Sequence, residues 1–290
     1  MEITSAQNPR IKHLLTLQQK SSERRRKGLF VVEGRRELEH CLAAGFQLES
    51  LFYVPLSSTQ QRDEIDLATV PCGDVLSKYI GTIQSLRDRF FSLTPSLYEK
   101  VAYRGSTEGV IAVMKERHIT LADLSSILLP PSSLHHQPSP LIMVLESVEK
   151  PGNLGAVLRS ADAGGADAVI VCDPLTDLYN PNVIRSSIGA VFTVPTVACT
   201  SEECIRFLQE HHIRILTAQL QDSQLYYDID MRQPTAIVMG TESTGLTQAW
   251  RDAADAHIRI PMLGDLDSLN VSVSAAILLF EAVRQRTLID

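Results

Sequence analysis

The chain has 290 residues, 44% hydrophobic and 21% charged, with a net charge of −7, a size and balance that suit about two globular domains. Its longest apolar runs, such as Leu141 to Leu145 and Ala275 to Phe280, fall far short of the roughly 20 residues of a bilayer span. The polar start MEITSAQNPR has no apolar leader core, so a cytoplasmic protein without a membrane partner is expected.

Cys41, Cys72, Cys172, Cys199 and Cys204 never fall in a CxxC spacing, which argues for isolated buried thiols rather than disulfides or a zinc ribbon. The His135-His136 and His211-His212 pairs lack the one-turn spacing of helical metal ligands, so no metal site is expected. The net charge conceals an asymmetry. Residues 8 to 36 carry nine basic side chains against Glu23 and Glu33, a local +7, which leaves −14 for the remainder. One end of the molecule is suited to a polyanion, although a run such as Arg24-Arg25-Arg26-Lys27 is, in an arbitrary protein, more often a solvated surface.

In chain order, Ile11, Leu14 and Leu15 recur at helical spacing, Leu29 to Val32 is a β-rich run before Gly34, and residues 35 to 44 are again helical. Strands are predicted at Leu48 to Val54, Asp66 to Val70 and Gly109 to Met114, with helices near 59 to 65 and 74 to 88. These make residues 1–128 a small α/β domain. The stretch from Leu129 to Pro140, rich in Pro, Ser and His, resists helix and sheet and marks a linker.

From residue 141 to 290 the pattern alternates. Strands are predicted at Leu141 to Leu145, Ala168 to Cys172, Val194 to Ala198, Ile213 to Ala218, Thr235 to Met239 and His257 to Ile260. Helices are predicted near Asn153 to Ala163, Asn182 to Ala190, 201 to 211 and Val271 to Arg286. This is an α/β domain with a parallel sheet, in which ligands sit beyond the carboxyl ends of the strands.

Three segments at such ends carry polar residues and glycines: KPGNLGAVLRS (150–160), MGTESTGL (239–246) and IPMLGDLDSLNVSVSAAILLFE (260–281). Singly they are ambiguous. Gly152 and Gly155 do not complete a dinucleotide fingerprint, so a nucleotide-dependent dehydrogenase is disfavoured. Asn153 and Asn270 have a ready explanation as helix caps, Arg159 as a solvated helix residue, and Glu242 as a cap or a ligand acceptor with even odds.

Together, in this order and spacing, the three segments resemble the motifs of the SpoU/TrmH family of the SPOUT methyltransferases. Asn153 and Arg159 match its first motif, Gly240 to Leu246 its glycine loop, and Ile260 to Ser272 its last motif, while NPNVIRSSIGAVFTVP (180–195) is similar to its connecting region. SAQNPRIKHLL (5–15), RRRKGLFVVEG (24–34) and TEGVIAV (107–113) resemble the ribosomal-protein-like RNA-binding domain that many members carry. Lys150, Ser243 and Gly164 depart from the family's usual residues without removing a polar group assigned to catalysis.

The resemblance implies a C-terminal domain with a deep trefoil knot, S-adenosylmethionine as cofactor, a homodimer, and methylation of a ribose 2′-hydroxyl in rRNA or tRNA. It assigns Arg159, Asn153, Glu242, Ser268 and Asn270 to catalysis, and the main chain around Gly240, Ile260 and Leu269 to the cofactor. In its light Arg24, Arg25, Arg26, Lys27 and Arg35 become expected RNA contacts. A base-methylating relative, or a non-catalytic RNA-binding protein that retains the knot, is the alternative; the intact polar motif residues disfavour the second.

Overall fold

A computed structural model describes residues 2–56, 67–79, 88–103, 108–128, 139–241, 244–265 and 268–287. Contacts divide the chain into two units that are not contiguous in sequence: 1–117 with 179–189, and 118–178 with 190–290.

The first unit runs β1 (Glu2–Ile3), α1 (Pro9–Gln19), α2 (Ser21–Lys27), β2 (Leu29–Glu33), α3 (Arg35–Ala43), β3 (Leu48–Tyr53), α4 (Gly73–Tyr79), β4 (Phe90–Leu93), α5 (Pro95–Val101) and β5 (Val110–Lys115). Its mixed five-stranded sheet has the order β1-β4-β3-β5-β2. Asn8 caps α1 by accepting from the Arg10 amide at 2.9 Å, with Pro9 in the first turn, where a missing N–H costs nothing. The helix then places Ile11, Leu14 and Leu17 against Val31, Phe52 and Val113 of the sheet.

Two expectations change here. The strand expected at Asp66 to Val70 is a 3-10 turn at Leu67–Thr69, because Gly73 follows so closely that a Cβ there would stand 1.9 Å from the Leu67 carbonyl oxygen. The helix expected over 74 to 88 is α4 within its described part, and the helix expected near 59 to 65 lies outside the described residues.

Residues 179–189 join this unit through an aromatic contact. The Tyr179 ring stacks on Phe30 at 4.4 Å and meets Phe46 edge-on at 6.0 Å, and its hydroxyl donates to the Arg117 carbonyl.

The second unit contains α6 (Leu121–Leu128), β6 (Leu141–Glu146), α7 (Pro151–Ala163) and β7 (Ala168–Cys172). After α8 (Pro181–Ser186), which belongs to the first unit, it continues with α9 (Ala190–Thr193), β8 (Thr196–Cys199), α10 (Ser201–Glu210), β9 (Arg214–Ala218), β10 (Gln224–Leu225), β11 (Thr235–Met239), α11 (Gln248–Ala253), β12 (Ala256–Arg259) and α12 (Val271–Thr287). The single helix expected over 182 to 190 is thus two, broken where Ile188 and Gly189 take φ of 57° and 85°.

All seven strands of this sheet are parallel, in the order β10-β12-β9-β11-β6-β7-β8. β6, β7 and β11 are buried at every position, as their unbroken apolar runs require of strands covered on both faces. At the centre β11 pairs with β6 from Thr235↔Leu141 to Met239↔Leu145. This register brings the ends of the two strands, and the loops that follow them, to one edge of the sheet. α7 and α12 pack on each other beside that edge.

Candidate active site

The loop after β11 is a closed turn. Thr241 and Gly245 exchange main-chain hydrogen bonds at 3.3 and 3.1 Å, and the Thr244 amide donates to the Thr241 hydroxyl at 3.1 Å. Gly245 takes φ 68°, and a Cβ on Gly240 would lie 2.3 Å from the Gly245 carbonyl carbon, so both positions require glycine. Glu242 and Ser243, at the tip, lie outside the described residues.

A buried carboxylate anchors the base of this loop. Glu146, at the end of β6 and 2% exposed, accepts from the Thr247 amide at 2.9 Å and hydroxyl at 2.7 Å, and from the Ser201 hydroxyl at 3.3 Å. Trp250 in turn donates its indole N–H to Ser201 at 3.0 Å. The network joins β6, α10 and α11 to the loop.

Beyond the ends of β9, β11 and β12 lies a cavity of about 360 Å³, walled by residues 218–221, the Gly240 loop, Ile258 to Ile260, Ser268 and Leu269, and the inner face of α12. The three residues assigned to the cofactor, Gly240, Ile260 and Leu269, all line it, as does Ser268. Among the described residues, two polar atoms on its wall are buried without a partner: Gln219 Oε1 and Arg251 Nε. Buried polar atoms are seldom left unpaired, so the cavity lacks one ligand acceptor and one ligand donor. S-adenosylmethionine carries both kinds, in its carboxylate and its amino groups, and the residues present therefore fit it. Neither Gln219 nor Arg251 stands in a motif; the only sequence signal was the position of Gln219 directly after a parallel strand.

A smaller cavity of about 120 Å³ shares Gly240, Thr241 and Val271 with the first and adds Val148, Glu149, Lys150 and Asn153. Here two of the motifs meet. Asn270 Nδ2 donates to Asn153 Oδ1 at 3.2 Å across 117 residues of sequence. Asn270 is also the N-cap of α12, its side chain accepting from the Ser272 amide at 3.0 Å, so the two explanations of that residue coexist. Asn153, in contrast, lies inside α7, which starts at Pro151 with Lys150 as cap. Arg159 is exposed on α7 and lines neither cavity. Six residues are about 1.7 helical turns, so Arg159 and Asn153 leave the helix on different sides.

The basic run divides. Arg25, Arg26, Lys27 and Arg35 are exposed, with Arg26 paired to Glu23 at 2.6 Å and Arg35 to Asp74. Arg24 is 2% exposed and donates to the carbonyls of Leu17 at 2.6 Å and Gln18 at 3.1 Å. That corrects its expected role: helical phase turns it inward, where it ties α2 to the end of α1 instead of meeting RNA.

The thiols are not all isolated either. The sulfur atoms of Cys172, Cys199 and Cys204 lie within 4.8 Å of one another, because Cys172 and Cys199 are register partners on β7 and β8 and Cys204 sits in the first turn of α10. This corrects the expectation drawn from spacing. Hydrogen bonds from Cys172 and Cys204 hold the Cys199 thiol down to about 4, while bonding to Cys199 and burial push Cys172 up.

Comparison with known proteins places this geometry. Residues 140–280 match the SpoU rRNA Methylase family and residues 8–112 the MRM3-like substrate binding domain. The 23S rRNA (guanosine-2′-O-)-methyltransferase RlmB of Vibrio vulnificus is 36% identical over 215 residues, which cover 73% of this chain and 85% of the relative. A crystal structure of an RNA 2′-O ribose methyltransferase aligns over 99% of this chain and 100% of its own, with TM-score 0.75 and 36% identity. The AdoMet-bound rRNA methyltransferase of Sinorhizobium meliloti aligns over 98% and 97%, with TM-score 0.80 and 26% identity.

Proposed function

The chain belongs to the SpoU rRNA methylase family and is an S-adenosylmethionine-dependent RNA 2′-O-ribose methyltransferase; from that premise we propose that its substrate is a guanosine of 23S rRNA and that two copies complete each site. The Vibrio vulnificus relative, a 23S rRNA (guanosine-2′-O-)-methyltransferase, supports the substrate. The observation that carries the site is the Asn270–Asn153 hydrogen bond, which joins the first and last motifs at the smaller cavity that shares Gly240 with the larger one.

S-adenosylmethionine supplies, when bound, an electrophilic methyl group on a sulfonium. Transfer to the ribose 2′-oxygen would break the methyl–sulfur bond, releasing S-adenosylhomocysteine, with the hydroxyl proton passing to solvent; this chain's own task is therefore alignment and charge stabilisation. Main-chain groups at Gly240, Ile260 and Leu269 would hold the adenosine part, with Gln219 accepting from an amino group and Arg251 donating to the carboxylate of the cofactor. Asn153, Ser268 and Asn270 position the ribose, and Glu242 the arginine. Arg159 is a poor proton acceptor, with a pKa above about 12; it orients the neighbouring phosphate and stabilises charge developing on the oxygen.

Two features support the dimer. Arg159 does not reach the Asn153 side of its own α7, and α12 with the loop before it exposes Leu263, Leu269, Val273 and Phe280, an apolar face of the kind that a second copy covers. The arginine of one subunit then serves the asparagine pair of the other. The first unit, 1–117 with 179–189, chooses the RNA, with Arg25, Arg26, Lys27 and Arg35 on its phosphates, and the second unit carries the chemistry. Mixing Arg159→Ala and Asn153→Ala chains tests the shared site. Recovery of up to a quarter of wild-type activity is expected, since half of the dimers are mixed and each mixed dimer holds one intact site. Two inactive parents that stay inactive on mixing, while light scattering shows monomers, refute it.

A further inference from the structure

Within the first unit a third cavity, about 430 Å³, is lined by Val31, Glu33, Gly34, Arg36, Glu37, Tyr103, Glu108, Pro181, Ile184 and Arg185. Its volume is in the range of roughly 300–1,000 Å³ typical of small-ligand sites. Nothing in the methyl-transfer chemistry uses it.

Its polar groups are held in place but incompletely used. Among the described residues Arg185 Nη1 is buried without a partner, while Nη2 donates to Asn182 Oδ1 at 2.6 Å and the guanidinium lies over the Tyr103 ring at 5.1 Å. Asn182 donates to the Tyr103 hydroxyl at 3.1 Å, so ring and guanidinium are fixed together. On the opposite side Glu37, 9% exposed, accepts from Arg36 through Oε1 at 3.0 Å. Its Oε2 lies where a Cβ on Gly34 would meet it at 2.7 Å; Gly34 leaves that oxygen room. Tyr103 is 46% exposed, an aromatic face open to solvent.

The occupant must accept a hydrogen bond from Arg185, donate to carboxylates and stack on an aromatic ring. An anion is disfavoured, because three carboxylates outnumber two guanidinium groups. A cation is disfavoured by Arg185, and among the described residues the carboxylates do not converge as a metal-binding group. A planar nucleobase satisfies all three demands, since unpaired bases are read by stacking and by hydrogen bonds to their edges. Among the bases guanine is richest in donors, with N1–H beside the N2 amino group, and its O6 and N7 are the acceptors that arginine favours.

From this geometry we propose that the cavity between Tyr103, Arg185 and Glu37 is a binding site for an unpaired guanine of the RNA substrate. The proposal rests on the RNA-methylating reading above. It assigns base selection to residues outside the basic run, which meets only phosphates.

The test uses the full chain saturated with S-adenosylhomocysteine, so that nucleoside binding in the cofactor cavity is blocked. Affinities are measured for the trinucleotides AGA, AIA, ACA and AAA, inosine lacking the N2 amino group. AGA should bind at least ten-fold tighter than the other three. Glu37→Gln and Tyr103→Ala should erase the preference, and Tyr103→Phe, which keeps the ring, should retain it; melting temperatures establish that each variant is folded. Equal affinities in the wild type, a preference for AAA or ACA, or a guanine preference that survives in folded Glu37→Gln would overturn the proposal. Methylation of 23S rRNA is measured on the same wild-type preparation. Methyl transfer without guanine preference sinks this inference alone, and guanine preference without methyl transfer sinks the functional reading alone.

Discussion

Among the described residues each unit buries one charged side chain to about 2% exposure, Arg24 in the first and Glu146 in the second, and leaves arginines exposed. The buried charges work over different ranges. Arg24 binds carbonyls six and seven residues away, so it stiffens one helical hairpin. Glu146 binds groups 55 and 101 residues away, so it joins distant segments into the floor of the cofactor loop. The difference teaches that the first unit's basic surface is a local construction, tolerant of change, whereas the second unit's site depends on tertiary pairing and fails as a whole.

The sharpest contrast is between the exposed arginines. Arg159→Ala is expected to lower kcat by roughly 10²–10³, as for loss of a transition-state donor, with the Kd for S-adenosylhomocysteine within two-fold of wild type by calorimetry. Arg25→Ala, at a proposed phosphate contact, should reduce the salt slope of RNA binding by about 1 and leave kcat at saturating RNA unchanged. Equal effects of the two would erase the distinction between chemistry and docking.

The buried charges should separate next. Glu146→Gln cannot accept all three hydrogen bonds and is expected to lose about 1.5–3 kcal/mol, as for bonds to a charged group. Because the loop walls the cavity proposed for the cofactor, cofactor affinity should fall about ten-fold, a change of about 1.4 kcal/mol. Arg24→Met should lose a similar stability in urea titration, yet leave cofactor Kd unmoved. A weakened cofactor in Arg24→Met would show that the hairpin is not local.

The smallest effect concerns the thiols. Hydrogen bonds from Cys172 and Cys204 lower the pKa of the Cys199 thiol while those of its neighbours are raised, so Cys199 should be alkylated by iodoacetamide ahead of Cys172 and Cys204. β7 and β8 lie at the far edge of the sheet from β12, so the modified protein should keep methyl transfer within two-fold. Peptide mass mapping and the methylation assay check the two halves of this prediction.

Much of the second unit was legible because buried parallel strands announce themselves: Leu141 to Leu145 and Thr235 to Met239 are apolar at almost every position. Its motifs were legible as a set, and Gly240, Ile260, Ser268 and Leu269 do come to one cavity. Less was legible in the first unit. α2 has no apolar stripe to reveal it, and Phe90–Leu93 is a short strand directly followed by the Thr94 cap of α5. Arg24 looked like its neighbours because composition carries no helical phase. Gln219, Arg251 and the Tyr103–Arg185 pair are functional candidates only through tertiary proximity, and Glu146 is set apart only by its place at the end of an apolar strand.

The most direct measurement is mass spectrometry of nuclease-digested 23S rRNA after incubation with labelled S-adenosylmethionine and either wild-type or Arg159→Ala protein. The account predicts one labelled methyl group on the ribose of a single guanosine with wild type, and almost none with the variant. A label on a base, or equal labelling by both proteins, would contradict it.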